Sequence, residues 1–201
     1  MDIAYKNVSQ LRRCTMTTLV LLLVYMAISS CAEVEPPTTA RGIDEATVTA
    51  LRKSAEQGNP TAQNRLGLLY NQGQGVPQDR MLAKQWFEKA AEQGDAGAQV
   101  NLGTLYLLGQ GALESDQMAL FWFRRGAEQQ EALALAKLGF MYEHGRGIPQ
   151  DFIQAHMWYT LSAARGQKRA LVSRDQLAKQ MTPAQVATAQ QLAREWKPKP
   201  K

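Results

Sequence analysis

Cysteine is nearly absent from this sequence. Its 201 residues hold only Cys14 and Cys31, so everything after residue 31 lacks a disulfide framework and a cysteine metal site. Histidine is as scarce, with His144 and His156 alone. They fall on different predicted helices and have no cysteine beside them, so neither a metal nor another cofactor is expected. No serine or cysteine stands in a recognisable nucleophile setting, and the chain reads as a non-enzyme. No apolar run reaches the roughly 20 residues that a membrane-spanning helix needs.

Charge of one sign is also missing, despite a formal net charge of +5. Ala32–Ala164 carries 11 Lys/Arg against 15 Asp/Glu, a net of −4, whereas Arg165–Lys201 carries 9 against 2, a net of +7. The mildly acidic body argues against nucleic acid. The basic C-terminal end is a candidate contact for an anionic envelope polymer, or a solvated tail of lysines spaced by prolines.

Residues 1–31 have the layout of an export signal. Lys6, Arg12 and Arg13 precede an apolar stretch of 12 residues, Thr17–Ile28, which leads through Ser29 and Ser30 into Cys31. The ending Ile28-Ser29-Ser30-Cys31 resembles the bacterial lipobox. That resemblance implies cleavage before Cys31, lipidation of Cys31 and a membrane anchor. Ala32 in second place resembles signals sent to the outer membrane of Gram-negative bacteria, facing the periplasm. Residues 32–43, with Pro36-Pro37, read as a flexible tether.

What the sequence does hold is a 36-residue repeat. Gly58–Gln93, Gly94–Gln129 and Gln130–Arg165 align without a gap. Ala62, Leu66 and Tyr70, with Ala98, Leu102, Tyr106 and Ala134, Leu138, Tyr142, recur at i, i+4 and i+8, one face of a first helix. Gly67, Gly103 and Gly139 beside the leucines predict a close approach by a second helix. Gly73, Gly109 and Gly145 predict the end of the first helix. The paired Gly-x-Gly follows a helix and has no lysine motif, so it reads as a turn and not a phosphate cradle. Asp79 and Asp151, with Ser115 or Asp116 in the middle copy, are the expected N-caps of the second helix. That helix repeats Ala83, Ala119 and Ala155, then Trp86, Trp122 and Trp158, then Phe87, Phe123 and Tyr159; its tryptophans read as core.

The pattern A-x3-LG-x2-Y-x2-G-x-G-V-x2-D-x3-A-x2-W-F/Y-x2-A-A-x-x-G resembles the Sel1-like repeat, a relative of the tetratricopeptide repeat. The resemblance implies an all-α, right-handed solenoid that binds a protein or peptide partner on a concave face lined by first helices. Residues 44–57 look like an N-terminal capping helix, residues 166–196 like two C-terminal capping helices, and 197–201 like a basic tail. Cysteine-rich relatives of this family are associated with β-lactam binding or hydrolysis. They carry a disulfide-linked cysteine in each repeat, and these repeats have none.

The expected binding stripe is the first-helix face away from Leu66 and Tyr70. It comprises Asn64, Leu68, Asn71 and Gln72; Val100, Thr104, Leu107 and Leu108; and Ala136, Phe140, Glu143 and His144. Its apolar members suit a partner with hydrophobic anchors, or cover by the chain's own tether or C-terminal cap. The functional expectation is a lipid-anchored adaptor of the cell envelope. The alternative is a module that binds peptidoglycan or lipopolysaccharide.

Overall fold

Short capped segments of 11–13 residues, each with a small-residue or aromatic stripe, can become stable helices only by packing against one another. A computed structural model describes residues 43–198, and among them it contains nine helices and no strand. They are α1 (Glu45–Glu56), α2 (Pro60–Gln72), α3 (Arg80–Glu92), α4 (Ala96–Leu108), α5 (Asp116–Glu128), α6 (Ala132–His144), α7 (Phe152–Ala164), α8 (Lys168–Ala178) and α9 (Pro183–Glu195). The expected export signal, Cys31, the expected tether through residue 42 and residues 199–201 lie outside the described residues. Among the described residues no helix is long and apolar enough to cross a membrane.

Local chemistry sets the helix ends. The second helices start at Asp79, Ser115 and Asp151, whose side chains accept from the backbone N–H groups of Leu82, Met118 and Gln154. In the middle copy Ser115, and not Asp116, is therefore the cap. Gly73, Gly109 and Gly145 close the first helices in the left-handed conformation, with φ of 69°, 63° and 64°. Thr182 and Gln185 form a capping box at the start of α9.

Each helix packs on the next from α1 to α8, which makes an all-α solenoid. Within a pair, the second helix lies against the glycine of the first. A Cβ on Gly67, Gly103 or Gly139 would sit 2.6–2.7 Å from the ring of Phe87, Phe123 or Tyr159. The second glycine of each turn joins successive units: a Cβ at Gly111 would meet the Arg80 carbonyl oxygen at 2.4 Å, and one at Gly147 the Asp116 carbonyl at 2.9 Å. Gly75 packs in the same way on Val48 and Ile43 of the capping unit. Sequence reasoning accounted for the first of these glycines and not for this second role.

Buried amides add a polar seam. Gln63 donates to the Ala55 carbonyl at 3.0 Å and Gln99 to the Ala91 carbonyl at 3.1 Å. Gln93 donates to Gln63 at 2.7 Å and Gln129 to Gln99 at 2.9 Å. Each pair satisfies buried groups across a junction between units. The solenoid order breaks at α9, which packs back on α7. Its Leu192, Ala193 and Trp196 lie against the core, with the Trp196 ring edge-on to Trp158 at 5.6 Å.

Candidate functional site

Each first helix has three covered sides. The Ala-Leu-Tyr side meets the preceding unit, the glycine side meets its own second helix, and a third side meets the following unit. What stays open is a narrow arc at i, i+4, i+7 and i+11. It comprises Thr61, Arg65, Leu68 and Gln72 on α2; Gly97, Asn101, Thr104 and Leu108 on α4; and Leu133, Lys137, Phe140 and His144 on α6, all exposed or half-exposed.

The expected stripe is therefore rotated by part of a turn, and two of its members are not exposed at all. Val100 and Leu107 are 3% and 6% exposed, in the core shared by α4, α5, α6 and α7. The reason is steric: Val100 faces Gly126 on the partner helix, 3.6 Å from where a Cβ there would lie. Asn64 is half-buried and spans the seam, donating to Asp95 at 3.0 Å and accepting from Asn101 at 2.9 Å. Asn71 is half-buried, and its carbonyl accepts from Gln78 at 2.8 Å. Glu143 accepts from the Tyr159 hydroxyl at 2.6 Å. Leu68 packs partly on core, and the Thr104 hydroxyl donates to the Val100 carbonyl at 2.8 Å. Gln72, Leu108 and His144 are exposed, Leu108 by 55%. His144 stacks on Phe140 at 4.3 Å.

Ala136 and Phe140 come together in a cleft of about 590 Å³. Leu133, Ala136, Lys137 and Phe140 from α6 form one side; Tyr159 of α7 and Gln167, Arg169, Ala170 and Ser173 at the start of α8 complete it. Burial lowers the Lys137 ammonium from its ordinary pKa, and burial with the Glu143 hydrogen bond raises that of the Tyr159 phenol. Arg65, Asn101, Lys137 and Arg169 were missed from sequence. For the first three the signal is the strict i, i+4, i+7, i+11 arc counted from Thr61, Gly97 and Leu133; Arg169 lies on α8, outside that arc. Among the described residues no group of three or more His, Cys, Asp or Glu side chains is placed to hold a metal.

The comparisons agree with this architecture. Residues 60–95, 96–131 and 132–167 each match the Sel1 repeat, two residues later in phase than the boundaries read from sequence. A Sel1 repeat protein from Oxalobacter formigenes is 40% identical over 65% of this chain, with a TM-score of 0.61. A protective antigen present in uropathogenic Escherichia coli strains, displaying an SLR fold, is 27% identical over 85% of this chain, with a TM-score of 0.57. The chain spans about half the length of these two structures, 52% and 43%. No curated protein matches it. With three successive repeats covering more than half of its residues, the chain belongs to the Sel1 repeat family.

Proposed function

We propose that this chain is a non-enzymatic adaptor of the bacterial cell envelope, anchored through a lipid on Cys31, that holds a partner protein on the open arc of α2, α4 and α6. Sel1 repeats generally mediate protein–protein interaction. One observation carries the reading to this face. The positions that the three copies share are consumed by packing, whereas the open positions differ in every copy: Arg65, Asn101 and Lys137 in one row, Leu68, Thr104 and Phe140 in another. A face that varies over a constant framework suits one specific partner. The envelope location rests on the export-signal layout of residues 1–31 and on the lipobox-like Ile28-Ser29-Ser30-Cys31.

Crosslinking in intact cells followed by purification of the full chain tests this. A discrete protein should be recovered, lost with Phe140→Arg and kept with Gln85→Arg on the exposed side of α3. Replacing Cys31 with Ala should release the protein from the membrane fraction, and unchanged retention contradicts the anchor. The net +7 of Arg165–Lys201 favours a second reading, an attraction to anionic peptidoglycan or lipopolysaccharide that salt weakens. Recovery of glycan or lipid with no protein would support that reading over the adaptor.

A further inference from the structure

We infer that the cleft beside α6 takes an acidic segment of the partner protein, with a carboxylate facing Lys137 and Arg169 and an apolar side chain seated on Leu133 and Phe140. This rests on the adaptor reading and adds the chemistry of the partner. The first support is the distribution of charge. Residues 32–164 hold 15 acidic side chains against 11 basic ones, yet none of the twelve open positions on α2, α4 and α6 is acidic. Acid is absent from this face in a body that is otherwise acidic, which leaves Arg65 and Lys137 to set its sign.

The second support is that Lys137 is half-buried and alone. Other half-buried cations have partners: Lys84 meets Glu88 at 2.5 Å, and Arg146 meets Asp116 and Glu114 at 2.7 Å. Lys137 makes no hydrogen bond or ion pair among the described residues. The acid six residues further along α6, Glu143, is already held by the Tyr159 hydroxyl. Withdrawing an ammonium from water without a counter-charge is unfavourable, and burial accordingly lowers the pKa of Lys137. A carboxylate delivered by a ligand removes that cost. Arg169, exposed on the facing helix and also without a hydrogen bond or ion pair among the described residues, adds a second donor set. The apolar side of the cleft separates this occupant from a purely polyanionic chain, which would leave Leu133 and Phe140 uncovered.

Selection of a random peptide display library on the full chain tests the inference. Enriched peptides should place Asp or Glu near an apolar residue. Changing that acid to its amide should weaken binding about tenfold, the size expected for one charge-assisted hydrogen bond. Lys137→Met with Arg169→Gln should weaken the acidic peptide at least as much, whereas Lys137→Arg, which keeps the charge, should hold it within about twofold. Retention by Lys137→Arg also shows that the site folds. Enrichment of neutral peptides, abolished by Phe140→Arg, overturns the acidic chemistry and leaves the adaptor reading standing. Acidic peptides bound equally by the double variant overturn it too, as does binding of phosphatidylglycerol vesicles through Lys137 with no peptide enriched.

Discussion

The second and third units, residues 96–131 and 132–167, share a backbone plan and differ in how they fill it. In the second, Leu107 lies in the core and Phe123 closes on Gly103. In the third, the same two positions hold Glu143 and Tyr159, joined by a hydrogen bond of 2.6 Å. A carboxylate can occupy the leucine position because a hydroxyl arrives with it, so the two replacements act as one exchange. The third unit also replaces Gln99 by Leu135 and Gln129 by Arg165, and Arg165 donates instead to Gln130. Its Trp158 is covered by Trp196, where Trp86 and Trp122 lie under Lys89 and Arg125 at 4.4 and 5.4 Å. The units therefore share a backbone frame and fill it differently, in the core at Leu107/Glu143, Phe123/Tyr159 and Gln99/Leu135 as well as on the open arc.

Removing framework should have the largest effect. Phe123→Ala empties a fully buried ring site and should cost about 3–5 kcal/mol of unfolding free energy in denaturant titration. Leu108→Ala, on the open arc of the same unit, should change it by less than about 0.5 kcal/mol. Similar costs at both positions would erase the distinction between framework and surface.

Next in size is the exchanged pair. Tyr159→Phe strands the Glu143 carboxylate and should destabilise by about 1–3 kcal/mol. Adding Glu143→Leu restores the leucine–phenylalanine pair of the second unit and should recover most of that loss. Simple additivity in the double-mutant cycle would show that the two positions are independent.

A smaller effect concerns His156, buried on α7 where the other units have Lys84 and Leu120. Burial, reinforced by Arg174 and opposed by Asp175, lowers its imidazole pKa. A lowered folded-state value means that the unfolded chain takes the proton first. This contribution is thus complete above about pH 6.5 and is lost as pH falls below it. Melting curves from pH 7.5 to 5 should fall more steeply for the wild type than for His156→Leu; parallel curves would contradict the assignment. The smallest effect is expected at Gln130, which adopts a left-handed φ of 61° where its counterparts are Gly58, Gly94 and Gly166. Gln130→Gly should stabilise by about 0.5–1 kcal/mol through relief of that conformation, and any loss of stability would assign more weight to its contact with Arg165.

Much of the framework is legible in the sequence because it is periodic. The Ala-Leu-Tyr row, the glycine facing an aromatic and the side-chain cap of the second helix (Asp79, Ser115, Asp151) each recur three times, and each has one local cause. The open arc was harder to read. A helix held on three sides leaves a strip so narrow that a rotation by one residue moves Val100 and Leu107 from surface to core. Their apolar character was itself the sign that they pack. The return of α9 and the cover of Trp158 by Trp196 were not legible, because that contact joins positions outside the repeat. The isolation of Lys137 is not legible in the sequence, because it is a property of its neighbours in space, which a single position does not encode.

Site-specific photo-crosslinking in living cells tests the division between framework and open arc most directly. A photoreactive residue at Phe140 should capture one discrete protein, and the same residue at Gln85 on α3 should not. Equal capture from both positions, or capture from Gln85 alone, would contradict the assignment of function to the open arc.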